Sequence, residues 1–111
     1  MPNHLKLIRG DTWMIAWTWK DNDGQPIDLT GAIVDWALES AHGEIVASAG
    51  VAEGSIEIEL SSAKCFVTVK AADTAEITPG AYRCDMQVTY ADGTVQSSPV
   101  VNVIVTRDVT P

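Results

Sequence analysis

The chain has 111 residues, with 15 acidic side chains against 7 basic ones and a formal net charge of −8. Such a balance excludes a broad basic face for nucleic acid or an anionic bilayer, and no apolar run nears the ~20 residues of a membrane helix. Length suits one domain, and the opening MPNHLKLIRG lacks the apolar stretch of a secretory leader. The reading is therefore a single domain over 1–111, made in the cytoplasm, with short tails at 1–4 and 108–111.

Strands dominate the pattern. Leu5–Arg9 is a first short strand, and Arg9-Gly10-Asp11 is the corner after it. This tripeptide needs no adhesion role, because a glycine followed by an aspartate is ordinary turn chemistry. In the next strand Trp13, Ile15, Trp17 and Trp19 alternate with Met14, Ala16, Thr18 and Lys20, the period of a pleated sheet with one buried face. Three tryptophans on one face are expected to wall the core, joined by Trp36. Trp13, near the strand end, is a candidate for a protein contact, where tryptophan is enriched. An exposed row of these rings would instead form a platform for stacking sugars.

The stretch DNDGQPIDLTG, Asp21–Gly31, is a loop rich in turn formers. Its carboxylates, Asp21, Asp23 and Asp28, suit turns whose Asx side chains bond the backbone. They fit a calcium loop poorly, since Gly24 comes fourth from Asp21 rather than sixth. Beyond it Val34, Trp36 and Leu38 alternate with Asp35 and Glu39, and AHGE, Ala41–Glu44, reads as a hairpin into a Glu44–Ala49 strand. Ile56, Ile58 and Leu60 alternate with Glu57 and Glu59, followed by a Phe66–Lys70 strand. Ala71–Gly80 is the one helical piece, with Asp73 and Glu76 spaced like a capping box. Tyr82, Cys84, Met86, Val88 and Tyr90 then share a face, Asp92-Gly93 suits a type I′ hairpin, and Val101, Val103 and Val105 form the last strand.

About 7–8 short strands with regular turns and one short helical turn predict an all-β chain, an immunoglobulin-like antiparallel β-sandwich. Cys65 and Cys84 are expected to be free, buried thiols. No zinc spacing, nucleophile elbow or phosphate loop is present. The expectation is a protein without catalytic residues, cofactor or metal. Its candidate contacts are Trp13, Asp21, Asp23, Gln25, Asp28, Asp92 and Arg107.

The series RGDT, DGQPIDLTGAIV, AADTAEITPGAYRCDMQVTYADGTVQ and VNVIVTRD, spanning roughly Arg9 to Arg107, resembles small β-sandwich proteins of tailed bacteriophages and prophages. Among these is the N-terminal domain of baseplate upper proteins. The resemblance implies a virion protein, an accessory or adaptor of tail, neck or baseplate. It would bind other phage structural proteins in symmetric copies, without nucleic acid or membrane. In baseplate upper proteins a longer stalk follows, whereas this sequence stops shortly after Arg107, which also suits a capsid decoration protein. The rival class is a carbohydrate-binding module, with a glycan as ligand.

Overall fold

The computed structural model describes residues 4–51 and 54–107; of the expected tails at 1–4 and 108–111, all but His4 lie outside them. The described residues form nine strands, β1 (His4–Ile8), β2 (Trp13–Thr18), β3 (Ile33–Ser40), β4 (Ile45–Gly50), β5 (Ile56–Glu59), β6 (Lys64–Val69), β7 (Gly80–Thr89), β8 (Val95–Ser97) and β9 (Val101–Thr106), with one short helix, α1 (Ala71–Thr74), in the β6–β7 connection. One sheet runs β1-β9-β7-β3-β4 with β8 also on β7, and the other runs β2-β6-β5. The two face each other across one core, the immunoglobulin-like sandwich that the alternation predicts. β8 and β9 lie along the same edge of β7, at Gln87–Thr89 and Gly80–Cys84. Between them the buried Ser98 takes over the ladder. Its N–H donates to the Met86 carbonyl and its Oγ accepts from the Met86 N–H. Counted as one interrupted strand, β8–β9 brings the total to eight.

Not every pair is antiparallel: β1 runs parallel to β9, with Leu5 opposite Val103 and Leu7 opposite Val105. The first strand also begins one residue earlier than expected, at His4, and Arg9 belongs to the corner, not the strand.

The core follows the alternation. Val34, Trp36 and Leu38 of β3 and Met86 and Val88 of β7 are at most 1% exposed; Cys65 and Val67 of β6 meet them from the other sheet. Each such aliphatic or aromatic side chain contributes roughly 1.5–3 kcal/mol by leaving water. Leu29 and Ile77 join this core from the connections. Leu60 does not: β5 ends at Glu59, the chain turns, and Leu60 is 52% exposed.

Three hairpin-like turns share one construction. In Asp21–Gln25, Ser40–Glu44 and Tyr90–Thr94 the first residue donates its N–H to the fifth, and the glycine at the fourth position donates to the first. Those glycines have φ of +79°, +82° and +92°. This is a type I turn closed by a left-handed glycine. The Asp92-Gly93 pair is therefore not type I′, which needs both central residues at positive φ: Gly93 has it and Asp92 does not.

The capping-box expectation is also corrected. Lys70 occupies the N-cap without a side-chain bond, and Asp73 lies inside the helix. What fixes this connection is the Tyr82 hydroxyl donating to the Thr78 carbonyl. A tyrosine two residues before Cys84, bonded back to the chain upstream, is the tyrosine corner of immunoglobulin-like sandwiches. Their inter-sheet disulfide is missing, since Cys65 and Cys84 are free and buried.

Candidate interaction surfaces

The sandwich sends its expected contact residues to opposite ends. Asp21, Asp23, Gln25 and Asp28 lie in the β2–β3 connection, and Asp92 in the β7–β8 turn. These two loops are neighbours: a Cβ on Gly31 would come within 3.4 Å of the Ala91 Cβ. Trp13 and Arg107 belong to the other end, at the start of β2 and just past β9.

At the first end the carboxylates form the turns. Asp21 Oδ1 accepts from the N–H groups of Asp23 and Gln25, both at 2.9 Å. Asp28 Oδ1 accepts from Thr30 N–H at 3.0 Å, and Asp92 Oδ1 from Thr94 N–H at 2.9 Å. Hydrogen bonds from the Thr30 side chain and then its backbone hold the Asp28 carboxyl below its usual range. For Asp92 the Thr94 backbone N–H is the larger cause and its side chain the smaller. All five residues are exposed. Among the described residues, no three His, Cys, Asp or Glu side chains group closely enough to hold a metal ion.

At the other end Trp13 is 2% exposed, and its Nε1–H donates to the Ile8 carbonyl at 2.8 Å. It is a core residue, and its assignment as a surface contact is corrected. The corner above it is fastened across the chain. The buried Thr74 hydroxyl donates to the Asp11 carbonyl at 2.6 Å and accepts from Gly10 N–H at 3.0 Å. Arg9 Nε–H donates to the Ala75 carbonyl at 2.8 Å. Arg9-Gly10-Asp11 is thus a corner docked on α1. Arg107 borders the same cleft as Arg9 and Gly10.

The tryptophan row is graded. Trp13 and Trp19 are buried, with Trp19 Nε1–H directed at the Met86 sulfur at 3.4 Å. Trp17 is half-buried. The three rings do not form a wet platform. Instead Trp17 walls a cleft of about 280 Å³ together with Leu5, Ile15, Ala16, Thr18 and Val101, at the seam where the β2 and β1 sheet edges meet.

That seam carries the most open backbone edge. β2 pairs with β6 from Trp13–Val69 to Thr18–Lys64, without a bulge, and no described strand pairs with its other side. Two bonds fix which groups point outward. Trp19 N–H donates to the Ala63 carbonyl, and Thr68 N–H to Ser55, away from β2. The odd residues of β2 therefore bond β6, and the N–H and C=O groups of Met14, Ala16 and Thr18 face the open edge. No sequence signal marks this edge, because the alternation assigns faces and not neighbours.

The remaining chemistry is quiet. Burial pushes both thiols' pKa up; nearby indoles, Trp19 for Cys65 and Trp36 for Cys84, oppose that push. A surface cleft of about 260 Å³ on the β3–β7 face contains the Arg83–Glu39 ion pair at 2.6 Å. Among the described residues, no helix is long and apolar enough to cross a membrane.

No family model matches the chain, and no curated protein does either. Solved structures do share its fold. CopC from Methylosinus trichosporium OB3b superposes with a TM-score of 0.55 at 10% identity, over 99% of this chain and 88% of that one. Fibronectin(III)-like modules of Clostridium thermocellum CbhA give 0.52 at 17% identity, over 96% of this chain and 43% of theirs. The periplasmic chaperone SfaE gives 0.50 at 10% identity, over 99% and 57%. At these identities the likeness is one of fold. It establishes the immunoglobulin-like sandwich, a scaffold that hosts unrelated functions.

Proposed function

We propose that this chain is a non-catalytic structural component of a tailed-phage particle, an adaptor in the tail, neck or baseplate that works by binding neighbouring protein subunits. The observation that carries the reading is the β2 edge. A six-residue strand without charge, proline or bulge presents unpaired backbone groups beside the Trp17 cleft. Soluble sandwiches guard such edges; an unguarded one suits a protein that spends its working life packed against another. The motif series from Arg9 to Arg107 supplies the phage context. The acidic loop end, with Asp21, Asp23, Asp28 and Asp92 all exposed, supplies a surface complementary to a basic partner.

Catalysis finds no support in the chemistry. The thiols are buried with raised pKa, which disfavours the nucleophilic thiolate. The acidic loop's Asp21 and Asp28 carboxylates accept backbone bonds within their own turns. The glycan alternative has lost its stacking row, since Trp13 and Trp19 face the core.

The test is the protein inventory of purified particles from a host producing this chain, with copies counted and located by imaging. Copies in small rings on the tail, neck or baseplate are expected. Copies spread over the head lattice would make it a decoration protein, and absence from salt-washed particles would overturn the assignment.

A further inference from the structure

The β2 edge has a chemistry that narrows its occupant. Among the described residues the other edges are short or blunted, and the uncharged β8 edge is only three residues long. β1 carries Lys6 and β5 carries Glu57 and Glu59. β4 loses register opposite Leu38 and Glu39, and its last residue, Gly50, is tied to Ser55 through both N–H and C=O. These are the charges, irregularities and covering loops that keep strands apart. β2 has none of them over Trp13–Thr18. On its outer face stands Met14, 81% exposed, with Phe66 of β6 39% exposed nearby.

We infer that β2 pairs with β2 of a second copy, antiparallel about a two-fold axis, joining the two three-stranded sheets into one. The strand is self-complementary in this arrangement. In an antiparallel ladder, hydrogen-bonded positions must both direct their backbone groups at the partner. Here those are Met14, Ala16 and Thr18. Centring the axis on Ala16 sets Ala16 against Ala16 of the second copy and Met14 against Thr18 of the second copy, with every outward group matched. The intervening pairs set Ile15 against Trp17 of the second copy on the inner side, extending cover over the half-buried Trp17 ring and its cleft. The same residues meet from both sides, as an isologous contact requires.

Charge at the ends of the proposed ladder is mixed, so the pairing rests on the backbone edge. The charged residues that flank β2 are Asp11 before it and Lys20 after it. The two-fold brings Lys20 of each copy opposite Thr12, beside Asp11 of the other. The same register sets Asp21 of each copy opposite Asp11 of the other, a like-charge contact at the ladder's ends that counts against Lys20's contribution.

The inference rests on the same β2 edge as the proposed function and names its occupant; it is tested on the purified protein alone, so its failure is distinguishable from failure of the particle assignment. Its test is sedimentation across the micromolar to sub-millimolar range, on the full chain and on two variants. Ala16→Pro removes the outward N–H at the centre of the proposed ladder and leaves the β2–β6 bonds intact, since proline is tolerated where a strand's N–H faces out. Met14→Lys places a guard charge on a side chain already in solvent, near Lys64 of the other copy, and remains decisive where the proline variant does not fold. A concentration-dependent dimer is expected for the wild type, weakened at least ~10-fold by each folded variant, through the two ladder hydrogen bonds lost in Ala16→Pro and through charge repulsion in Met14→Lys. A wild type that stays monomeric throughout would overturn the inference, as would a dimer that neither substitution weakens.

Discussion

The two ends of the sandwich are both built from turns with aspartate and glycine, yet they are held in opposite ways. At the Asp21–Gly31 and Asp92 end, the Asp21, Asp28 and Asp92 carboxylates accept from backbone N–H groups two to four residues away, in full solvent. At the Arg9-Gly10-Asp11 end, the corner is held by residues more than sixty positions distant, Thr74 and Ala75 of the α1 connection. The first end closes itself; the second exists only when the whole fold is assembled. Breaking a locally closed turn should therefore remain a local event. Breaking the distant fastening should be felt by the entire domain, because it unties segments more than sixty residues apart that only the assembled fold brings together.

Thr74→Val should produce the largest effect. Valine keeps the shape of the fully buried side chain and removes its hydroxyl. The Gly10 N–H and Asp11 carbonyl then lose their partner together. A loss of about 1–3 kcal/mol in unfolding free energy is expected, the net worth of two part-buried hydrogen bonds lost together. Denaturant melts check it, with Thr74→Ser, which retains the hydroxyl, expected to lose much less. Equal losses would mean that Thr74 acts by packing its methyl group and not by tying the corner.

Asp21→Ala attacks the self-closed end and should cost less. Two N–H bonds to its carboxylate disappear, but Asp23 and Gln25 are exposed, so water replaces the acceptor. The expected loss stays below about 1 kcal/mol, the net worth of an ordinary hydrogen bond. Hydrogen exchange should quicken in the loop alone, whereas Thr74→Val should quicken it on both α1 and the corner. A global effect from Asp21→Ala would erase the distinction between the ends.

The same distinction governs what could be read from the residues in advance. Turn chemistry is written in adjacent letters, so the loops at the first end were legible, down to the Asx bonding of Asp21 and Asp28. The alternation of Val34, Trp36 and Leu38 likewise showed their buried face. The turn type at Asp92 was missed because both hairpin classes place glycine after aspartate; the extra residue in the loop, Ala91, decides between them. The burial of Trp13 was missed for a different reason. Its position near a strand end suggests exposure, but the corner folded over it by Thr74 and Arg9 depends on contacts across the chain. The parallel β1–β9 pair and the open β2 edge are hidden in the same way. Periodicity reports a face, and only the assembled sheet order reports a neighbour.

The smallest effect is expected from acid, and its sign follows from the self-closed end. Asp28 and Asp92 have folded-state pKa values held below their ordinary carboxylate range by hydrogen bonds from Thr30 and Thr94. A depressed folded pKa means that the ionised form favours the folded state. The contribution is complete above the unfolded value near ~3.9, and it fades as pH falls through the lower folded values. Asp92→Asn keeps an oxygen for the turn but cannot ionise. The wild type should thus be slightly more stable than Asp92→Asn at neutral pH, and the gap should close as the solution is acidified below pH ~4. Thermal melts of both proteins along a pH series would show it. A gap that widens on acidification would mean that the Asp92 charge opposes the fold, repelled by the other carboxylates of this acidic end more strongly than the Thr94 bonds hold it.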